Sequence, residues 1–232
     1  IGAPESVLSL SKLAKKEKED LEDIFHKMSS GGLRVLAFAY KKVGLKVKIE
    51  SEKTKFIFGG FYGIIDGLRE EAKEAIRQTQ EAGIRVIMIT GDHKITAQAI
   101  AKEAGIFNDG DEILTGKDIE EISDEELILK LSRISVFARV TPEHKLRIIE
   151  AFRKRKEIIA MTGDGVNDAP SLVAADLGVA MGKIGTEVAK EASDIILLDD
   201  NFESITAAIE EGRSIYKTIK KVILYLFSTS LG

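Results

Sequence analysis

The chain has no cysteine. That excludes a disulfide scaffold, a cysteine-ligated metal site and a thiol nucleophile. Its only histidines are His26, His93 and His144, and their wide spacing argues against a histidine-built zinc site. No apolar run reaches the roughly 20 residues that a bilayer span needs. No secretory leader is expected at the start, and no repeat or low-complexity linker interrupts the sequence. A net charge of -4 leaves no general electrostatic footprint for nucleic acid, so no nucleic-acid partner is expected. What remains is ordinary for a globular chain, with 44% hydrophobic and 31% charged residues. The 232 residues allow one large or two small domains with a sizeable core.

One stretch stands out, Met161-Thr-Gly-Asp-Gly-Val-Asn-Asp-Ala-Pro170. It follows the apolar run Ile158-Ile159-Ala160, which reads as a short buried strand, and Pro170 opens a helix. Acidic, glycine-rich loops at strand ends put carboxylates at the carboxyl edge of a sheet, where open α/β sheets bind ligands. Asp164 and Asp168 are close enough to face one pocket as hard oxygen ligands for Mg²⁺. Gly163 and Gly165 let the backbone turn tightly and approach a ligand. Taken alone, Gly-Asp-Gly also fits a solvated strand-to-helix turn.

Two further loops have the same strand-loop-helix setting. Thr90-Gly91-Asp92 follows the apolar run Val86 to Ile89 and precedes a helix over Lys94 to Ala104. A hydroxyl, a glycine and a helix N-terminus make a natural phosphate seat; capping of the helix by Asp92 reads equally well. Further on, Val136-Phe137-Ala138 reads as a strand. Thr141 is placed to cap the next helix, Pro142 takes its first position, and Lys145 falls in its first turn. An ammonium there can neutralise a phosphoryl group, although most helix lysines are simply solvated.

The longer strings decide between these readings. The ten residues 161–170, the run Ala82-Gly-Ile-Arg-Val-Ile-Met-Ile-Thr-Gly-Asp92 and the run Phe137-Ala-Arg-Val-Thr-Pro-Glu-His-Lys145 resemble the P-type cation-transporting ATPases of the calcium and sodium/potassium pump branch, within the haloacid dehalogenase-like superfamily. The resemblance implies that Asp164 holds Mg²⁺, with Asn167 and Asp168 in support. It implies Thr90, Gly91 and Lys145 as phosphate-binding, Asp92 as a neighbour of nucleotide and Mg²⁺, and Arg34 and Arg139 as contacts of ATP. By residue type alone, Arg34 reads as a solvent-facing strand residue. The family's Lys-Gly-Ala-Pro-Glu motif is matched by Gly2-Ala3-Pro4-Glu5, with Ile1 in the lysine's place. Its Asp-Pro-Pro-Arg hinge keeps Asp66 and Arg69 around Gly67-Leu68.

An α/β fold is expected: a Rossmann-like parallel sheet, haloacid dehalogenase-like, with part of an α+β nucleotide-binding domain and a C-terminal stalk helix. Residues 1–65 form the end of the nucleotide domain, 66–205 the phosphorylation domain, and 206–232 the stalk and the start of a transmembrane helix. In detail, Gly2 to Glu5 reads as a turn and Lys16 to Met28 as an amphipathic helix stopped by Ser29 to Gly32. Leu33 to Tyr40 and Lys55 to Ile65 read as strands, with a solvated connection over Lys41 to Lys53. Glu70 to Ala82 is helical, closed by Gly83. Val86 to Ile89 and Ile195 to Leu198 read as strands buried on both faces. Phe107 to Glu126 reads as an acidic loop and helix with a solvated face, and His144 as a surface residue. Asp199 and Asp200 read as ligands or as caps. From Phe202 a long helix passes from polar through basic to apolar residues, which fits a cytoplasmic membrane boundary or an interfacial helix.

One part of the family's machinery is missing. The aspartyl nucleophile, carried as Asp-Lys-Thr-Gly-Thr, occurs nowhere in the sequence; the resemblance places it before Ile1. The expectation is the cytoplasmic catalytic segment of a cation pump, on the cytoplasmic face of a membrane, binding ATP and Mg²⁺ for transfer to an aspartate outside this chain. The missing part of the pump and the membrane are its implied partners. The alternative is a nucleotide- and Mg²⁺-binding protein without turnover, or a regulatory partner of a pump.

Overall fold

A computed structural model describes residues 1–42, 56–64 and 67–230 of the chain. Asp66 and most of the connection expected over Lys41 to Lys53 lie outside the described residues.

The N-terminal part contains helices α1 (Pro4–Leu10) and α2 (Lys15–Ser30) and the antiparallel strands β1 (Arg34–Tyr40) and β2 (Ile57–Ile64). The turn expected at Gly2 to Glu5 is instead the start of α1. Pro4 opens it, where a missing N–H costs nothing. Gly2 and Ala37 exchange both backbone hydrogen bonds, which ties this start to β1. Gly32, with φ 79, turns the chain from α2 into β1.

The rest alternates helix and strand: α3 (Glu70–Glu81), β3 (Met88–Ile89), α4 (Lys94–Glu103), β4 (Glu112–Thr115), α5 (Gly116–Glu121), α6 (Asp124–Lys130), β5 (Ile134–Ala138), α7 (Pro142–Lys154), β6 (Ala160–Gly163), α8 (Ala169–Ala174), β7 (Leu177–Met181), α9 (Glu187–Glu191), β8 (Ile195–Leu197) and α10 (Phe202–Ser230). All six strands here are parallel, as expected for a Rossmann-like α/β arrangement. They form two halves, ordered β3-β5-β4 and β6-β7-β8. Among the described residues, β3, β4, β6 and β8 each keep one unpaired edge.

The two halves share a core beneath α7. Ile148 packs with Ile119, Leu127, Leu131, Ile134 and Phe137 on one side. Its neighbour Ile149 packs with Met161, Leu172 and Ala180 on the other. Ile89 and Ile159 touch both clusters. Phe137 is fully buried; truncating such a ring to alanine costs about 3–5 kcal/mol.

Edge position explains where the expected strands differ. Only Met88 and Ile89 of the run Val86 to Ile89 join a ladder, and all four are half-buried rather than buried. In β8 only Leu197 is buried, while Ile195 and Ile196 are partly open and Leu198 lies outside the strand at 81% exposure. An edge strand lacks the neighbours that cover a central one. The run Ile158 to Ala160 likewise contributes only its last residue to β6, and Ile158 is exposed. The acidic loop expected over Phe107 to Glu126 contains β4, whose Ile113 and Leu114 are buried. Asp111 there turns inward and accepts from the Ser135 hydroxyl at 2.8 Å. α10 buries no residue along its length. Among the described residues, no helix is long and apolar enough to cross a membrane.

Candidate functional site

The loop after β6 is shaped by packing more than by turning. A Cβ on Gly163 would stand 2.5 Å from the Asp168 Cβ, so only glycine allows that residue to fold back. Asp168 ends a 3₁₀ turn over Val166–Asp168. Its Oδ2 accepts from the Gly165 N–H at 3.2 Å. Its Oδ1 accepts from the Lys145 ammonium, and both side chains are largely buried. Asp164 has different surroundings. It is exposed, and among the described residues nothing is tied to its carboxylate. Its carbonyl accepts from the Thr186 N–H at 2.8 Å, which anchors the loop. Asn167 is exposed beside it.

Lys145 reaches Asp168 because the first turn of α7 is fixed. Thr141 caps the helix, its hydroxyl accepting from the His144 N–H at 3.4 Å. His144 closes the box, its Nδ1 accepting from the Thr141 N–H at 3.2 Å. That leaves Nε2 to pair with Glu120 at 3.1 Å. His144 is therefore buried, not a surface histidine. Its room comes from Gly116, where a Cβ would meet the Arg139 carbonyl at 2.4 Å and His144 Nδ1 at 2.8 Å.

The Thr90 loop is tied to the same turn. The Thr90 N–H continues the ladder to Phe137 at 2.9 Å, and Asp92 O accepts from Arg139 N–H at 3.0 Å. Within the loop, the Asp92 N–H donates to the Thr90 hydroxyl, and that hydroxyl donates to Asp92 Oδ2. Asp92 does not cap α4; His93 does, through its Nδ1. Space over Gly91 is open. Beside it lies a cavity of about 430 Å³ whose lining includes Arg34, Gly91, Asp92 and Arg139. Arg34 is largely solvent-exposed and its Nε lies 3.8 Å from Asp92.

The expected residues thus fall into two groups. Arg34, Gly91, Asp92 and Arg139 meet around the cavity. Lys145 and Asp168 meet beneath the loop of Asp164 and Asn167. Thr90 joins the first group through Asp92, and no hydrogen bond joins it to Lys145.

Residues 7–176 match the family model described as haloacid dehalogenase-like hydrolase. The chain belongs to the haloacid dehalogenase-like hydrolases. Within that family its likeness is to the P-type cation-transporting ATPases, as its motifs anticipate. It is 52% identical over 221 residues to calcium-transporting ATPase 1 of Bacillus cereus, covering 95% of this chain and 25% of that protein. It is 45% identical over 226 residues to the calcium-transporting ATPase of Bacillus subtilis, covering 97% and 25%. With calcium-transporting ATPase 1 of Saccharomyces cerevisiae the identity is 43% over 231 residues, covering 95% and 24%. The chain spans about a quarter of the length of these relatives.

The resemblance implies a bound Mg²⁺, and the residues fit a sparse anionic seat for one. Among the described residues no three acidic or histidine groups cluster as a cage. Mg²⁺ does not need one, because it keeps several waters and takes one or two carboxylates plus phosphate oxygens. Asp164 is an untied hard-oxygen donor, while both Asp168 oxygens are already engaged. Sequence reasoning gave no role to two residues that brace the cavity wall, Glu5 and His93. Their partners lie far away in sequence, so no local pattern marked them.

Proposed function

We propose that this chain is the nucleotide- and magnesium-handling segment of a P-type cation-transporting ATPase. In this reading residues 1–65 end the nucleotide domain, 66–205 form the phosphorylation domain and 206–232 form the stalk that leads to the membrane, all on the cytoplasmic face. The observation that carries it is the buried Lys145–Asp168 pair beneath the exposed, untied Asp164. A fixed ammonium beside a free carboxylate at strand ends suits phosphoryl transfer, which is mostly positioning and charge neutralisation. Arg34 and Arg139 hold the nucleotide, and Asp92 lies near it. Thr90, Gly91 and Lys145 hold the transferring group, and Asp168 orients Lys145. Asp164, with Asn167 in support, holds Mg²⁺, which supplies charge neutralisation on phosphate oxygens when bound. The accepting aspartate belongs to another part of the whole protein. Each half-sheet keeps unpaired outer strands, β3 and β6 among them, which leaves a place for a further strand.

The test is labelling with γ-phosphate-labelled ATP and Mg²⁺, with acid quench and hydroxylamine treatment. The chain is run alone and with a fragment carrying the Asp-Lys-Thr-Gly-Thr strand. Hydroxylamine-sensitive label on the added fragment only is the expected result. Label on this chain alone would overturn the assignment of the nucleophile. ATP binding with no label on either partner would favour the second reading, a nucleotide- and Mg²⁺-binding module without turnover, which the absent nucleophile motivates.

A further inference from the structure

Arg139 has the least ordinary backbone of the cavity, with φ 51. That left-handed region is costly for a residue with a Cβ, so the surroundings must hold it. Its N–H is held by Asp92 O at 3.0 Å. Its guanidinium Nη2 donates to Glu5 Oε1 at 2.8 Å. The same oxygen lies 3.1 Å from His93 Nε2. His93 Nδ1 accepts from the Ile95 N–H at 3.2 Å, so the ring proton sits on Nε2 and is donated to Glu5. Phe25 backs the imidazole edge-on, with ring centroids 5.2 Å apart.

Glu5 stands on α1, 134 residues before Arg139. His93 and Arg139 line the cavity; Glu5 does not. The carboxylate therefore grips two wall residues from behind. Its other oxygen, Oε2, is buried without a donor. Such an acceptor is unfavourable by itself, so the grip at Oε1 must outweigh it.

We propose that Glu5 is a positioning residue for nucleotide binding: it clamps His93 and Arg139 so that the arginine presents a preset guanidinium to the cavity. This rests on reading that cavity as the place of the nucleotide. A carboxylate in the cavity would compete with phosphate for Arg139. One behind the wall fixes the arginine without occupying the ligand's volume, and preorganisation of this kind raises affinity.

The experiment is calorimetric titration of the 232-residue chain with ATP and Mg²⁺, using wild type, Glu5→Ala, Glu5→Gln, Arg139→Ala and the double variant Glu5→Ala/Arg139→Ala. Thermal melting of each confirms folding. Glu5→Ala is expected to weaken ATP about threefold to tenfold, the worth of one charge-assisted hydrogen bond. Glu5→Gln keeps a neutral acceptor in place and is expected to recover most of that loss. In the Arg139→Ala background, Glu5→Ala is expected to add nothing. A role in folding alone would lower the melting temperature without this non-additivity. Wild-type affinity in Glu5→Ala, or effects that simply add, would overturn the clamp. Tighter ATP binding in both Glu5 variants would also overturn it, since Glu5 would then be an electrostatic brake. A wild-type chain that binds no ATP would sink the nucleotide reading itself, and the clamp with it.

Discussion

Two strand ends in this chain carry neighbouring aspartates, and they look alike in sequence. After β8, Asp200 is buried in a backbone nest. Its Oδ1 accepts from the Gly182 and Lys183 N–H groups at 2.6 and 2.9 Å, and its Oδ2 from Ile184 at 2.9 Å. Asp199 accepts from the Asn201 N–H and the Ser204 hydroxyl at the start of α10. After β6, Asp168 takes the Lys145 ammonium, and among the described residues nothing is tied to the Asp164 carboxylate. Where the protein supplies the donors, an acid is structural. Where it withholds them, the carboxylate remains available to an outside cation. The expectation that these acids cap the next helix is not met: Asn201 Oδ1 accepts from the Glu203 N–H at 2.9 Å at the start of α10, while Asp199 braces that turn and Asp200 holds the loop 182–184.

The contrast can be broken most directly at Asp200. Asp200→Ala removes the shared buried acceptor of three N–H groups in the loop 182–184 and should give the largest loss of melting temperature of the substitutions named here. A wild-type melt would remove the structural half of the comparison. The same residue sets a pH dependence. Burial pushes its carboxyl up, but the three backbone donors outweigh this and hold it below the ordinary carboxylate range. Its stabilising contribution is present above the unfolded carboxylate value and is lost as pH falls through the lowered folded value. Acid melts of Asp200→Asn should lack that loss.

Lys145→Met comes next. Removing one partner of a buried pair leaves a stranded charge, and about 3 kcal/mol of stability should go, read by urea denaturation. Adding Asp168→Asn should return most of it; an equal or larger loss in the double variant would show that the pair is not coupled.

Asp164→Ala sharpens the other side. Stability without metal should stay within about 0.5 kcal/mol of wild type, while Mg²⁺ should no longer raise the melting temperature. Unfolding of the metal-free variant would show that Asp164 is structural after all.

The smallest effect expected is at His93. Burial lowers its pKa, with Arg139 and His26 adding to this and Glu5 opposing. The fold thus favours the neutral ring, and stability should fall as pH drops through the histidine range. His93→Gln should flatten that slope in a series of melts. An unchanged slope would mean the ring does not govern it.

Local punctuation was legible in the sequence. Thr141-Pro142 announced the start of α7, and glycines and acids marked the strand ends. What escaped was set by contacts across the chain. β4 was hidden because its two buried residues, Ile113 and Leu114, stand beside Asp109, Asp111 and Glu112. α1 is a seven-residue helix whose Gly-Ala-Pro opening has the composition of a turn. His144 was placed at the surface because its partner Glu120 lies 24 residues earlier. Among the site residues, the motifs marked Lys145 and Asp168 separately, but their pairing appears only when α7 and the β6 loop are brought together.

α10 has a mechanical consequence. Its 29 residues make a rod of about 44 Å at 1.5 Å per residue. It rests on α3, and the Arg213 guanidinium holds the Ala82 carbonyl at the end of that helix. At the other end of α3, the Arg69 guanidinium grips the Asp200 carbonyl, two residues before the rod begins. Among the described residues the rod therefore has two side-chain clamps near its base and none on the arm beyond Arg213. Seventeen residues of arm span about 25 Å, so a tilt of about 5° at the clamps sweeps its tip through about 2 Å. A displacement of α3 too small to disturb the sheet is enlarged at the tip, as on the long side of a balance beam.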